Sequence, residues 1–176
     1  MSNINATRIY TQLNWNNLPG QDAQGLNPDI DAYGTVWEDL DPTLGRRLFS
    51  FVNLALSSAA LTTGGGNVVL YKDLYRLSVS VTVADSAQNL VAGVTQDGTP
   101  VVGNDCWVQT KGYHGTVLAN GDTYTKGKYA TSSGTAAVVR AETAGTAPTY
   151  TPVGQVLGAS AGSPLVVPLQ LVVPCP

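Results

Sequence analysis

Glycine residues divide the chain between residues 90 and 173 into short apolar segments. They recur every three to eleven residues, and the segments between them consist mainly of Val, Leu, Thr and Tyr. Short segments of β-branched and aromatic residues bounded by glycine are typical of strands joined by tight turns. The pattern therefore predicts an all-β fold class, with a compact β-barrel or β-sandwich-like domain.

Individual strands are predicted from the local alternation of apolar and polar residues. Residues 77–83 place four apolar side chains on one face, as in a half-buried strand. Residues 44–61 fit a helical stripe as well as a strand, and the glycines at 64–66, interpreted as a flexible hairpin tip, favour a strand at 46–53. Further strands are predicted at 68–72, 91–95, 99–102, 106–111, 115–119, 136–141, 153–157 and 165–173.

Turns are predicted where glycine follows a polar residue or closes an apolar segment. The Asn-Gly pair at 120–121 predicts a tight hairpin whose second strand starts near Thr123. Residues 112–115, which include the only histidine, predict another turn. Because proline has no N–H to donate to a ladder, Pro168 predicts that the last strand lies at a sheet edge or is broken there.

Residues 1–40 lack this pattern and are interpreted as an extended, irregular N-terminal arm ahead of a glycine-rich β domain at 41–176. A faint internal echo in that domain indicates two related lobes, at about 45–90 and 91–176. The arm cannot build a core of its own, so its widely spaced apolar side chains lie either on a partner or on its own domain. These side chains are Ile9, Tyr10, Leu13, Trp15, Leu18, Leu26, Tyr33 and Trp37.

Charge is scarce in this chain, since Asp, Glu, Lys and Arg make up 12% of it and the net charge is −3. Nucleic acid binding usually needs clustered Lys and Arg, so we expect no nucleic acid partner. No apolar run approaches the roughly 20 residues of a membrane helix, and the first residues do not resemble a signal peptide, so we expect no membrane partner.

Glu38, Asp39 and Asp41 lack calcium-loop spacing and are expected to be solvated or to pair with Arg46 and Arg47.

Residues that could perform chemistry are few. His114 would need a nucleophile such as Cys106, but Cys106 lies in a predicted core strand, where a thiol is usually inert. Whether Cys106 pairs with Cys175 stays open, although a free buried thiol is favoured. Residues 121–129 superficially resemble a phosphate-binding loop, but the glycine spacing is wrong and no helix follows. We therefore predict no catalytic residue, no cofactor, no metal and no enzyme.

Several phrases of the sequence resemble the β domain of tailed-bacteriophage capsid decoration proteins, also called cement or head-stabilisation proteins. The resemblance covers about residues 34–173 and leaves most of the arm outside it. The phrases are Gly-Arg-Arg-Leu-Phe-Ser-Phe-Val at 45–52, Leu-Val-Ala-Gly-Val at 90–94, Gly-Asn-Asp-Cys-Trp-Val-Gln-Thr-Lys-Gly at 103–112, Val-Leu-Ala-Asn-Gly at 117–121, Gly-Lys-Tyr at 127–129 and Pro-Val-Gly-Gln-Val-Leu-Gly at 152–158.

The resemblance implies a structural virion protein, made in the bacterial host cytoplasm, that binds the outer surface of the capsid and stabilises the head. Its partners would be the major capsid protein and further copies of itself, with a trimer as the first expectation and a dimer as the alternative. We interpret the eight apolar residues of the arm, together with Arg46 and Arg47, as candidate capsid contacts.

Two other classes of function stay open. A tail or head-fibre module would bind a receptor or glycan through an aromatic platform formed by Trp107, Tyr113, Tyr124 and Tyr129. A small hydrolase would depend on His114 and would lose turnover on His114→Ala.

Overall fold

The structure, a computed structural model, describes residues 36–54, 61, 65–74, 78–81, 90–96, 105–133, 137–142, 151–160 and 165–173. These residues form ten strands and no helix, so the predicted all-β fold class is confirmed. The first seven apolar residues of the arm and the strand predicted at 99–102 lie outside the described residues. The strands are β1 (Val36–Asp41), β2 (Gly45–Leu54), β3 (Val68–Asp73), β4 (Ser78–Ser80), β5 (Val91–Thr95), β6 (Asp105–Leu118), β7 (Tyr129–Ser132), β8 (Val139–Ala141), β9 (Pro152–Val156) and β10 (Val166–Val172).

All ten strands belong to one sheet, and part of that sheet closes on itself. Strands β2, β4, β3, β5 and β6 pair in that order, and β6 pairs again with β2. The β2–β4 pair is parallel, and the other pairs of this ring are antiparallel. Inward-facing side chains from all five strands fill the closed ring, as in a small barrel. This first core contains Val52, Leu54, Leu61, Val69, Tyr71, Val79, Val81, Ala92, Cys106 and Val108.

The other strands build outward from the C-terminal half of β6. Strand β10 pairs with β6 and is followed across the sheet by β9, β7 and β8. A parallel bridge between Ala119 and Val139 brings β8 back to the end of β6. The second core lies among these strands and contains Val68, Leu70, Val91, Val94, Val117, Ala119, Tyr124, Ala130, Val139, Val153, Val156, Val167, Leu169, Leu171 and Val173.

Strands β3 and β5 contribute to both cores. Val69 and Ala92 belong to the first core, whereas Val68 and Val94 belong to the second. A strand that is buried on both faces needs apolar residues at nearly every position rather than at alternate ones. This double burial explains the continuous apolar runs that made β3 and β5 recognisable in the sequence.

Strand β6 runs without interruption from Asp105 to Leu118, where the sequence predicts two strands separated by a turn at 112–115. The turn prediction is wrong because Gly112 serves a different purpose. Its φ is +94°, and a Cβ at this position would overlap the carbonyl oxygen of Arg46 in the neighbouring strand. Glycine here permits a close approach of two backbones, which a local sequence pattern does not distinguish from a turn.

The hairpin predicted at 120–121 is also wrong. Gly121 does turn the chain, with a φ of +88°, but the described residues that follow it do not pair with β6. Ala119 bridges Val139 instead, and the ring of Tyr124 is buried in the second core. Burial of the Tyr124 ring in the second core therefore outweighs the local preference of the Asn-Gly pair for a hairpin.

Three further predictions are corrected by burial. Pro168 belongs to β10, which lies in the interior of the sheet between β6 and β9, so the predicted sheet edge is wrong. The register of β10 against β6 shifts at this residue, so the predicted break in the strand is present. Strand β4 is buried at Val79 and also at Ser80, so it is not half-exposed. The glycines at 65–66 are buried rather than forming a flexible tip, since the N–H of Gly66 donates to the Thr95 carbonyl at 2.9 Å.

The hydroxyl of Tyr124 ties the turn after β6 to β8. Its oxygen lies 2.8 Å from the carbonyl oxygen of Val139 and 2.9 Å from Oδ1 of Asn120. Burial raises the pKa of this phenol to about 12. The fold therefore favours the neutral phenol, and its contribution to stability is lost as the pH rises from the ordinary pKa of 10.0 towards 12.

We expect the free energy of unfolding to fall by about 2–3 kcal/mol through this titration, and we expect Tyr124→Phe to lack that component. Denaturant unfolding as a function of pH measures the difference, with Tyr129→Phe, which alters an exposed phenol, as the control. Equal alkaline slopes for Tyr124→Phe and the parent protein would contradict the assignment.

Candidate interaction surface

Three of the residues that the sequence predicts as capsid contacts are described by the structure, and all three lie in the β1–β2 hairpin. They are Trp37, Arg46 and Arg47. The antiparallel register of the hairpin pairs Trp37 with Phe49, Asp39 with Arg47 and Leu40 with Arg46. Because side chains alternate between the two faces of a strand, the odd-numbered residues of β1 face the domain and the even-numbered residues face away from it. Each face has a distinct chemistry.

Aromatic packing attaches the hairpin to the domain. Phe49, Phe51 and Trp107 form a buried cluster, and Trp37 packs against its edge. The rings of Trp37 and Trp107 meet edge to face, with centroids 5.5 Å apart and an interplanar angle of 82°. Phe51 lies 5.1 Å from Trp107 in a tilted arrangement. Such pairs are worth roughly 0.5–1.5 kcal/mol beyond the apolar area that they bury, so this cluster positions β1 firmly.

A buried ion pair extends the same face. The Nε of Arg47 donates to Oδ2 of Asp39 at 3.0 Å, and one terminal guanidinium nitrogen also contacts that oxygen. The guanidinium lies 5.7 Å from the centroid of the Phe49 ring and 3.6 Å from Oδ2 of Asp41. The buried carboxylate of Asp39 needs this partner, because an unpaired charge would be strongly destabilising at such a site. The predicted pairing of these acids with Arg47 is therefore confirmed.

The turn between the two strands is closed by Asp41. Its Oδ1 accepts hydrogen bonds from the backbone N–H groups of Thr43, at 2.7 Å, and Leu44, at 2.8 Å. These two hydrogen bonds hold the pKa of the Asp41 carboxyl below its usual value. Gly45 follows with a φ of +76°, which starts β2 in the register that the aromatic cluster requires.

The outward face of the hairpin is apolar with one exposed ion pair. We define the hairpin face as Val36, Glu38, Leu40 and Arg46. Val36 is 56% exposed and Leu40 is 57% exposed. Between them, Glu38 pairs with Arg46 at 2.6 Å, and both side chains are open to solvent, so the pair contributes little to stability. Val36 and Leu40 are therefore apolar side chains that this face leaves open to solvent.

The outer edge of β1 is the second notable feature of this hairpin. Strand β1 is the first strand in the order of the sheet, and among the described residues only β2 pairs with it. An edge strand presents N–H and C=O groups that can pair with a strand of another chain. Residues 36–40, the last of the arm that the sequence predicts to be irregular, are part of β1 instead, because they pair in register with β2.

The predicted contact residues occupy different environments in this hairpin. Trp37 and Arg47 are engaged in its inward packing, whereas Arg46 is exposed on the hairpin face. Val36 and Leu40 are not among the contact residues predicted from the sequence. The alternation of residues 36–40, in which apolar side chains recur at every second position around Glu38, is the signal that could have identified them.

The two groups considered for nucleophilic chemistry are far apart. His114 is buried, with Nε2 3.1 Å from the carbonyl oxygen of Thr95 and Nδ1 3.3 Å from the N–H of Thr116. Both ring nitrogens thus bond to the backbone, with the proton on Nε2. Cys106 is buried and lies eight residues earlier on the same strand, which corresponds to roughly 26 Å at about 3.3 Å per residue. Cys175 lies outside the described residues.

The aromatic platform proposed for glycan binding is not assembled as the sequence suggested. Trp107 and Tyr124 are each 1% exposed and belong to the interior. Tyr113 and Tyr129, in contrast, lie on the outer face of the sheet formed by β6, β10, β9 and β7. Only these two members of the original set can meet a ligand.

Comparison with known proteins adds no assignment to this geometry. A scan against models of known families finds no match, and a search of curated proteins finds no similar sequence. In the described part of the chain, no helix is long and apolar enough to cross a membrane. The same residues hold no group of three or more His, Cys, Asp or Glu side chains placed to bind a metal ion.

Proposed function

We propose that this chain is a structural virion protein that binds the outer surface of a tailed-phage capsid, bridges neighbouring major capsid subunits and stabilises the head. The observation that supports this proposal most directly is the hairpin face. It presents two exposed apolar side chains, Val36 and Leu40, on a rigid hairpin at the end of a segment rich in apolar residues. A surface of this kind is suited to a partner protein rather than to a small substrate.

The mode of binding follows from the chemistry of the hairpin. The capsid protein covers Val36 and Leu40, and a strand or extended loop of the capsid pairs with the outer edge of β1. Arg47 takes no direct part, because its guanidinium is occupied by Asp39 inside the hairpin. Arg46 and Glu38 neutralise each other, so binding depends little on salt. The part of the predicted arm that precedes β1, residues 1–35, extends the contact to a neighbouring capsid subunit.

Repetition strengthens attachment on a capsid. A homo-oligomer, for which a trimer is our first expectation, places several copies of the hairpin face on adjacent capsid subunits. Each contact can then be weak while the assembly stays bound. Because the aromatic cluster fixes the hairpin against the domain, little conformational entropy is lost when the contact forms.

The decisive experiment measures occupancy on purified capsids that lack this protein, taken from the phage that encodes it. We expect the double variant Val36→Glu with Leu40→Glu to lower occupancy more than tenfold at a fixed concentration, because full burial of each apolar side chain is worth about 1.5–3 kcal/mol. The matched control is Leu165→Glu, which introduces a charge at a side chain that is 80% exposed elsewhere on the molecule. Urea unfolding confirms that all variants fold.

The outcomes of this experiment separate the two parts of the proposal. If the parent protein does not bind capsids, the proposed function is wrong. If it binds and the hairpin double variant binds equally well, capsid attachment stands but the hairpin face is not the contact. Removal of residues 2–35 tests the arm in the same assay, and undiminished occupancy would exclude the arm as an anchor.

A further inference from the structure

Four side chains form a row across the outer face of the second strand group. Tyr129 of β7 lies opposite Gln155 of β9, Gln155 lies opposite Gln170 of β10, and Gln170 lies opposite Tyr113 of β6. We call these residues the tyrosine–glutamine row. Directly paired residues point to the same face of a sheet, so the four side chains stand side by side on adjacent strands. At about 4.8 Å between strands, the row is roughly 14 Å long.

Three members of the row are exposed and Tyr113 is half-buried, while the residues next to the row members within each strand are buried. Tyr129 is 46% exposed, and Gln155 and Gln170 are open to solvent. In β10, the neighbours of Gln170 are Leu169 and Leu171, which both belong to the second core. The row therefore rests on rigid strands whose inner faces are packed, which keeps its geometry fixed before any ligand arrives.

Tyr113 lies flat on the sheet rather than projecting from it. A Cβ at Gly115 would come within 3.2 Å of the Tyr113 hydroxyl oxygen and within 3.7 Å of its ring carbon Cζ. The absence of a side chain at Gly115 thus lets the ring cover the strand beyond its own Cα. Tyr113 is half-buried in this position, so part of its side chain stays open to solvent.

The two amides between the tyrosines are placed for hydrogen bonding with a ligand. The Nε2 of Gln155 donates to the carbonyl oxygen of Gly127 at 3.0 Å, which holds the amide in one orientation. The described residues supply no hydrogen-bond partner for the side chain of Gln170. A primary amide offers two donor hydrogens and an acceptor oxygen, the combination that pairs with neighbouring hydroxyl groups. The row itself contains no charged side chain.

From this arrangement we infer that the tyrosine–glutamine row binds an oligosaccharide whose pyranose rings run across the strands. The flat C–H faces of the sugars stack on Tyr113 and Tyr129, and the hydroxyl groups bond to Gln155 and Gln170. The absence of charge within the row favours a neutral glycan over an anionic one. Val172 and Pro168 lie two residues on either side of Gln170 in β10 and place apolar side chains beside the tyrosine–glutamine row. The site is distinct from the hairpin face and does not depend on the proposed capsid contact.

The test uses the full chain and soluble cello-, malto-, manno- and chito-oligosaccharides, first on an array and then by titration calorimetry. We expect one of these series to bind and Tyr129→Ala to lower its affinity about tenfold, the loss of one stacking contact. Gln170→Ala is expected to lower affinity by a similar factor, whereas Tyr129→Phe keeps the ring and retains most of it. Leu40→Ala, on the hairpin face, serves as the matched control and leaves glycan binding unchanged.

Two results would overturn the inference. One is the absence of binding by the parent protein to every series. The other is binding that persists unchanged in both Tyr129→Ala and Gln170→Ala, which would place the glycan elsewhere on the molecule. Near-equal urea stability of the variants, expected because both side chains are exposed, excludes misfolding as the cause of a loss. Capsid occupancy, measured separately, stays at the parent level in these variants.

Discussion

Replacement of Gly66 by alanine is expected to lower the free energy of unfolding by more than about 4 kcal/mol, a large fraction of the roughly 5–15 kcal/mol by which a native protein is stable. Gly66 has a φ of +76°, and a Cβ there would overlap the carbonyl oxygen of Thr116. The obstacle is backbone rather than a flexible side chain, so it cannot be relieved by a rotamer change. The backbone segments that contain Gly66 and Thr116 would have to move apart.

That separation would break a hydrogen-bonded junction between strands. The N–H of Gly66 donates to the carbonyl of Thr95 at 2.9 Å, and its own carbonyl accepts from the N–H of Leu118 at 2.9 Å. Next to it, the N–H of Thr95 donates to the carbonyl of Asn67, and the Nδ2 of Asn67 lies 3.2 Å from Oγ1 of Thr95. These groups are buried, so each bond that is lost leaves a polar group without water.

Gly45→Ala is the matched control for this substitution. Gly45 has the same φ of +76°, but a Cβ there would meet no described atom within 4 Å. Its expected cost is therefore the backbone strain alone, about 1–2 kcal/mol. Urea unfolding followed by circular dichroism measures both variants. Equal losses at the two glycines would show that the overlap at Thr116 is relieved at no cost.

Trp107→Ala is expected to lower the free energy of unfolding by about 3–5 kcal/mol. The indole is 1% exposed and fills the space between Phe51 and Trp37, so its removal leaves a cavity that strands β2 and β6 cannot close without losing their pairing. The hairpin also loses the surface on which Trp37 rests. Limited proteolysis is therefore expected to cut the β1–β2 hairpin faster in this variant than in the parent protein.

Trp37→Ala provides the comparison for Trp107→Ala. Trp37 is only half-buried and packs against the edge of the cluster, so its loss is expected to cost about half as much. Urea unfolding of the two variants gives the difference. A larger cost for Trp37→Ala than for Trp107→Ala would mean that the hairpin, rather than β6, holds the aromatic cluster together.

Strands with strong local patterns were predictable, and those shaped by distant contacts were not. The apolar run of β5 and the alternation of β10 each identify a strand with its boundaries nearly correct, because burial of their side chains demands such patterns wherever the strand lies. Gly112 was misread as a turn because glycine serves a turn and a close strand approach equally well. Only the position of the Arg46 carbonyl distinguishes the two.

In the candidate surfaces, too, the contacts made within one hairpin were predictable and those made between distant strands were not. The ion-pair partners of Arg46 and Arg47 could be anticipated, since opposite charges eight residues apart meet across a tight hairpin. The tyrosine–glutamine row could not, because its four members come from strands separated by up to 57 positions in the chain, the interval between Tyr113 and Gln170. Their alignment depends on register, and a shift of one residue would turn a member toward the core.

The amino-acid sequence by itself determined that this chain forms strands, that its surface carries little charge and that its N-terminal segment differs from the rest. Those properties are local or additive, so composition and short-range periodicity are sufficient to reveal them. The tertiary structure alone decided that β6 continues through its glycine at 112, that β3 and β5 serve two cores and that two tyrosines and two glutamines share one exposed row. Each depends on which distant strands pair and in which register, and that choice is made by the packing of the whole sheet.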